Sequence, residues 1–314
     1  DLRRPQGAKR RGGPLARPWS EMHRDRRGDG EAAEPSGRDD WAAAVALGLL
    51  YVVLSIVGHE LPLPDSPVST VVSVIVGLLL LVGVMYYVAR IPALPRAALV
   101  TGAALLLAWA WLAFLMRAGQ ARPGLPSAAA DVCLAAAAGG LGKFAVRFVN
   151  ARNLLLPIAV VAAVFDVVYV YCGPLEAQRA IGGRALSESL APVTAAVTAL
   201  GGKSIPGATR HGVLGGVGFG DLAILAFFFT AAVRFGMDAA RSFWYILPLV
   251  VIAFMVAVQY GSVPGWVPIG MGFILANHRF FRFTDEEKRA MLYAGPVVLL
   301  LAAALIGASL LLRR

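Results

Sequence analysis

The sequence predicts an all-α membrane protein, a polytopic bundle of about nine transmembrane helices that follows a disordered N-terminal tail. Of its 314 residues, 58% are hydrophobic and 15% are charged, whereas soluble domains have about 45–50% and about 25%. The hydrophobic residues also lie in long runs, and a helix needs about 20 such residues to cross the hydrocarbon core. Because unpaired backbone groups are costly in lipid, these runs favour helices over open extended structure.

Residues 1–40 differ in composition from everything that follows. They are rich in Arg, Gly, Pro and acids and show no periodic apolar pattern, which is typical of a disordered segment. We therefore divide the chain into a disordered basic or polar tail, 1–40, and a polytopic transmembrane domain, 41–314. The net charge of +10 is spread over this tail and short loops, which favours the lipid bilayer and argues against nucleic acid as a partner.

Nine apolar segments make up the predicted transmembrane domain. They run approximately over residues 41–58, 67–89, 97–116, 127–148, 153–172, 213–234, 242–260, 264–281 and 290–312. The eighth is unusual, because Pro264, Gly265, Pro268 and Gly270 weaken its first turns. A broken start of this kind is tolerated at membrane depth where it is buried in protein or lines a watery cavity.

Lys and Arg are frequent in the even-numbered loops between these segments, although the third loop also carries Arg117 and Arg122. The second, fourth, sixth and eighth loops are basic, whereas the first and seventh contain no Lys or Arg. This asymmetry predicts a cytoplasmic amino terminus and places the long loop 173–212 on the outer side. We expect a multi-pass integral membrane protein, located in the plasma (inner) membrane if the source is prokaryotic; assembly into a homo-oligomer stays open.

Three acidic residues lie within or at the edge of the apolar segments. Asp131 follows the start of its helix closely, so we expect it at the interface as a solvated or capping residue. Asp166 lies six residues before Cys172 and Asp221 lies eight residues after Val213, which puts both at nearly the same depth in adjacent antiparallel helices. Acids inside a membrane are costly, about 2.5–3.5 kcal/mol each, and usually mark a proton, ion or substrate path.

Two neighbouring carboxyls can act as the base and the acid of a hydrolysis reaction. The ionised one deprotonates a water that attacks an amide carbonyl, while the protonated one polarises that carbonyl and helps the amine to leave. The acids alone fit a proton- or cation-coupled transporter better than a hydrolase. The sequence shows no internal repeat, however, and repeats are common in transporters.

The residues around the two acids form paired motifs. The sixth segment contains Gly218-Phe219-Gly220-Asp221, and the fifth contains Phe165-Asp166 with Tyr169 one turn later. This arrangement resembles the presenilin and signal peptide peptidase family of GxGD intramembrane aspartyl proteases, in which an aromatic-Asp pair faces a Gly-x-Gly-Asp motif on the next helix. The resemblance covers about residues 143–282.

That family has a Pro-Ala-Leu motif at the start of its last conserved helix, beside the active site. The best match here is Pro264-Gly265-Trp266, which has Gly in place of Ala and the much larger Trp in place of Leu. We expect the larger ring to alter substrate preference. The chain also has Phe165 where Tyr is usual, four rather than five helices before the Asp166 helix, and an additional helix over 290–312.

The resemblance implies an aspartic endopeptidase that cleaves transmembrane segments of other proteins, or signal-peptide remnants. The implied catalytic residues are Asp166 and Asp221, and the implied substrate-binding residues are Phe165, Tyr169, Gly218, Phe219, Gly220, Pro264, Gly265 and Trp266. No cofactor or metal is expected, since His59-Glu60 lacks the second His of a zinc motif. The alternatives are the transporter and a catalytically silent family member that binds membrane helices.

One stretch of the long loop has a composition unlike its surroundings. Residues 192–198 are rich in the β-branched residues Val and Thr. Such a segment could add to an extended substrate as a β-strand and so expose the scissile amide. The alternative is an amphipathic loop segment.

Overall fold

The computed structural model describes residues 37–57, 67–92, 95–117, 125–172, 194–198, 213–260 and 263–312. The first described helix begins at Gly37, so residues 37–40 of the predicted tail are helical. The rest of that tail, and the loop 173–212 except for residues 194–198, lie outside the described residues.

The described residues form nine α-helices and one β-hairpin. They are α1 Gly37–Val57, α2 Pro67–Arg90, α3 Pro95–Arg117, α4 Leu125–Val146, α5 Leu155–Cys172, β1 Thr194–Thr198, β2 Val213–Gly218, α6 Phe219–Arg234, α7 Ala239–Tyr260, α8 Trp266–Asn277 and α9 Asp285–Leu312. Short 3-10 turns cover Arg152–Leu154 and His278–Phe280. Each of the nine predicted apolar segments therefore contains one helix.

Six of these helices are long and apolar enough to cross a membrane, namely α1, α2, α3, α4, α5 and α7. The other three, α6, α8 and α9, do not belong to that set. With 16 and 12 residues, α6 and α8 are about 24 Å and about 18 Å long. Both are thus shorter than the roughly 30 Å hydrocarbon core.

The sixth predicted segment, 213–234, is not a single helix. Its first six residues form β2, which pairs antiparallel with β1, and α6 begins only at Phe219. Gly215, Gly216 and Gly218 disfavour a helix by about 1 kcal/mol each relative to Ala, and pairing with β1 satisfies the backbone groups on one edge of β2. Asp221 consequently lies in the first turn of α6 rather than two turns inside a helix.

Close contacts between helix backbones hold α6 against α4. A Cβ atom at Gly142 of α4 would lie 2.6 Å from the carbonyl oxygen of Ala223 and 2.7 Å from the backbone nitrogen of Phe227. Only glycine fits at this position. On the other side of α6, Phe228 lies against Phe273 of α8, with ring centroids 4.6 Å apart. The helix that carries Asp221 is therefore packed tightly on two sides.

The basic residues at the helix ends join α1, α2, α4 and α6 at one end of the bundle. Arg90, at the end of α2, forms a salt bridge of 3.1 Å with Asp40 near the start of α1. Lys143 near the end of α4 donates a hydrogen bond to the carbonyl of Ile91, and Arg234 at the end of α6 donates one to the carbonyl of Val146. The opposite end holds the end of α5 and the starts of α6 and α8.

Candidate active site

Asp166 lies in the last two turns of α5. This helix is almost entirely apolar, and its Pro157 lies in the first turn, where proline is tolerated. The Asp166 side chain is buried, with 8% of its surface exposed. Its Oδ2 accepts a hydrogen bond of 2.6 Å from the backbone N–H of Trp266. Because Trp266 is the first residue of α8, this N–H has no partner within its own helix and is free to serve the acid.

Asp221 lies in the first turn of α6, where an acid is favoured by the unpaired N–H groups of the helix start. Gly218 precedes the helix in an extended conformation. Its backbone N–H donates a hydrogen bond of 3.1 Å to Oδ2 of Asp221.

Gly265 lies directly against the carboxyl of Asp221. A Cβ atom at this position would be 2.5 Å from Oδ1, 2.8 Å from Cγ and 3.1 Å from Oδ2 of Asp221. These separations are too short for any side chain, so the observed carboxyl position requires glycine here. The neighbouring Pro264 is buried.

Both carboxyls lie against the same short segment, Gly265–Trp266. Asp221 contacts Gly265, and Asp166 accepts the N–H of Trp266. The two acids are also close enough to interact electrostatically. The structure therefore brings together the two acids and the proline-broken segment that the sequence analysis selected.

An aromatic surface borders the acids. Phe165 is 60% exposed, and its ring stacks on Tyr169 at 6.3 Å and on Trp266 at 6.0 Å between centroids. Gly220 lies under the indole, since a Cβ there would be 3.3 Å from Cζ2 of Trp266. The stack leaves a flat apolar face beside the carboxyls.

The remaining predicted site residues have different surroundings. Gly218 contacts Asp221 through its backbone N–H. Phe219 is partly buried and packs against the hydrophobic core. Among the predicted substrate-binding residues, Phe219 thus belongs to the packing of α6.

Asp131 is not the solvated or capping residue that its sequence position predicts. Only 3% of its surface is exposed, and its Oδ2 accepts a hydrogen bond of 3.2 Å from the hydroxyl of Tyr51 on α1. The prediction rested on the distance of Asp131 from its helix start, whereas its burial depends on how α1 packs against α4. The sequence signal for this contact was the hydroxyl of Tyr51, a polar group within an apolar run.

No family model, curated protein or solved structure matches this chain.

Proposed function

We propose that this protein is an intramembrane aspartyl protease. Its substrates are peptide bonds in transmembrane segments of other proteins or in signal-peptide remnants. The observation that carries the proposal is the placement of Asp166 and Asp221, from two separate apolar helices, against the same segment, Gly265–Trp266. Acids in apolar surroundings are costly, and a shared site for two of them is an arrangement that hydrolysis uses.

The pair supplies both the base and the acid for hydrolysis. With one proton on the pair, the ionised carboxylate removes a proton from a water, and the water oxygen attacks the amide carbon. The protonated carboxyl donates a hydrogen bond to the carbonyl oxygen as negative charge develops on it. The C–N bond then breaks, the amine nitrogen takes a proton from the pair, and a carboxylic acid and an amine leave.

The site is open to an apolar substrate from the side of Phe165. Phe165 and Tyr169 are both strongly exposed, 60% and 42%, and lie beside the buried Asp166. A substrate segment in the bilayer reaches the acids along this aromatic face. This supports Phe165, Tyr169 and Trp266 as the residues that line the substrate path.

The proposal includes nine membrane segments. Counting α6, α8 and α9 with the six long apolar helices gives a multi-pass protein whose basic loops face the cytoplasm. The acids then lie towards the outer side of the membrane, which is the plasma (inner) membrane if the source is prokaryotic.

Purified protein in proteoliposomes tests the proposal. The vesicles receive a helical transmembrane peptide and a pH gradient, and both peptide products and proton or cation flux are measured. We expect products, and we expect Asp166→Asn and Asp221→Asn each to abolish them, since neither carboxyl suffices alone. Asp131→Asn is the matched control: it changes another buried acid of the bundle, and cleavage should persist.

Two results would overturn the proposal that the protein is a protease. Flux without any cleavage would identify the acids as the relay of a proton- or cation-coupled transporter. Peptide binding without cleavage or flux, unchanged by both Asn variants, would identify a silent protein that binds membrane helices.

A further inference from the structure

The loop between α4 and α5 begins with an arginine that lies against two aromatic rings. The guanidinium of Arg147 is 4.3 Å from the ring centroid of Phe144 and 4.7 Å from that of Phe148. The two rings are inclined by 85°, with centroids 5.5 Å apart, so they form a corner around the cation. Guanidinium groups stack favourably on aromatic rings. The Arg147 side chain is therefore held in place although the residue is exposed.

The guanidinium donors of Arg147 are not used by the described part of the protein. Two neighbouring cations are used, since Lys143 donates to the carbonyl of Ile91 and Arg234 donates to that of Val146. Within the described residues, the Arg147 guanidinium has no hydrogen bond and no ion pair. A guanidinium carries five N–H groups, so Arg147 presents these donors to an acceptor outside the chain.

The same loop has no acid of its own. Residues 143–154 contain three basic residues and no Asp or Glu. One acid reaches the loop from α9, namely Glu287, whose Oε2 accepts hydrogen bonds from the side chain of Asn153 at 3.2 Å and from the backbone N–H of Thr284 at 2.8 Å. Arg152, also exposed, has no acidic partner among the described residues. The positive charge of both loop arginines is thus uncompensated there.

We propose that this loop binds the phosphate group of an anionic phospholipid through Arg147 and Arg152. A guanidinium binds phosphate with two parallel hydrogen bonds, and basic groups beside membrane helices attract anionic lipids. Exposed apolar side chains in the same stretch favour a lipid over a free anion, since Phe148 is 65% and Leu154 45% exposed and both can contact the glycerol and acyl chains. The inference requires a membrane and not the protease, because the two acids lie at the opposite end of the bundle.

Native mass spectrometry of the full chain in detergent tests the proposal. The protein is mixed with phosphatidylglycerol or with phosphatidylcholine carrying the same acyl chains, and the bound lipids are counted. We expect phosphatidylglycerol to be retained in preference, and Arg147→Gln to weaken its binding about tenfold, the size of effect for a hydrogen bond to a charged group. Arg96→Gln is the matched control and should leave retention unchanged, because Arg96 is exposed near the start of α3 and lies over no aromatic ring of the described residues.

A second variant and a competitor complete the test. Phe148→Leu keeps an apolar side chain but removes one of the two rings, so it should also weaken binding of phosphatidylglycerol. Both substituted residues are exposed, and thermal unfolding without lipid should show an unchanged Tm. Inorganic phosphate is then added, and it should not displace a lipid that is also held by its apolar part. Equal retention of the two lipids, an equal loss in Arg96→Gln, or displacement by inorganic phosphate would each overturn the proposal, whether or not the protein cleaves peptides.

Discussion

Replacing Gly265 by Ala tests the position of the Asp221 carboxyl directly. The added methyl group would begin 2.5 Å from Oδ1 of Asp221, and an ordinary contact of this kind needs 3.4 Å or more. The carboxyl must therefore move by about 1 Å. Movement weakens the 3.1 Å hydrogen bond from the Gly218 N–H.

The size of the effect differs between activity and stability. A displacement of about 1 Å in a catalytic group can reduce the rate about 100-fold. Loss of the helix-capping bond from Gly218 lowers the free energy of unfolding by about 1 kcal/mol, which corresponds to a fall in Tm of roughly 2–4 °C. We thus expect Gly265→Ala to lose about two orders of magnitude in cleavage rate while remaining folded.

The assay compares initial rates of peptide cleavage in proteoliposomes with thermal unfolding in detergent. Gly270→Ala, in the helix that follows Gly265, is the control, because a Cβ there would meet Ala159 at 3.5 Å, an ordinary contact. It should retain activity. If Gly265→Ala cleaves within about threefold of the unsubstituted protein, Asp221 does not lie against residue 265 in the active state, and our account of the site is wrong.

Three further predictions concern the acids and the packing around them. Two carboxyls that share a site release their protons in separate steps. The cleavage rate should therefore fall at both ends of a range of about pH 4–9. A rate that changes in one direction only across this range would argue against a shared pair of acids. Arg90→Gln removes the cation that pairs with Asp40, which is only 5% exposed, and should destabilise the protein. The loss should be smaller than the roughly 3–5 kcal/mol of fully buried pairs, because the Arg90 side chain is 26% exposed. An unchanged Tm would contradict this prediction. Gly142→Val should separate α4 from α6 and lower both Tm and the cleavage rate, because the new side chain meets backbone 2.6 Å away. Full activity at an unchanged Tm would show that this contact does not position Asp221.

The helices could be predicted from the sequence because long apolar runs are a strong local signal. Runs of about 20 apolar residues located α2 and α5 to within two residues at each end. The two acids stood out for the same reason, since charge is rare in such runs. The proline-broken start before α8 was also visible in the sequence.

The hairpin could not be predicted in the same way. Residues 213–218 are apolar, and a short apolar run does not distinguish a strand from a helix. Residues 213–218 form a strand because they pair with residues 194–198, which are distant in the sequence. The β-branched composition of residues 194–198 did predict extended structure. The strand that pairs with them is β2 of the same chain, and addition of a substrate strand stays a prediction.

The contribution of Trp266 was also invisible in the sequence. Its size suggested an altered substrate path, whereas the hydrogen bond from its backbone N–H to Asp166 became apparent only once α5 and α8 were in place. Which side chain that N–H reaches depends on packing between two helices, and no local pattern encodes that.

The shortness of α6 and α8 accounts for the site itself. Both helices begin at the level of the acids, so the unpaired N–H groups of two helix starts point towards two carboxyls. A helix that ran on through residues 213–234 would bond the Gly218 N–H within itself and leave Asp221 without that donor. Likewise, a helix continuing from α7 into α8 would use the Trp266 N–H internally. The interruptions at Gly218 and Gly265 therefore stabilise the acids in apolar surroundings, and they lie where the proposed protease would receive its substrate amide.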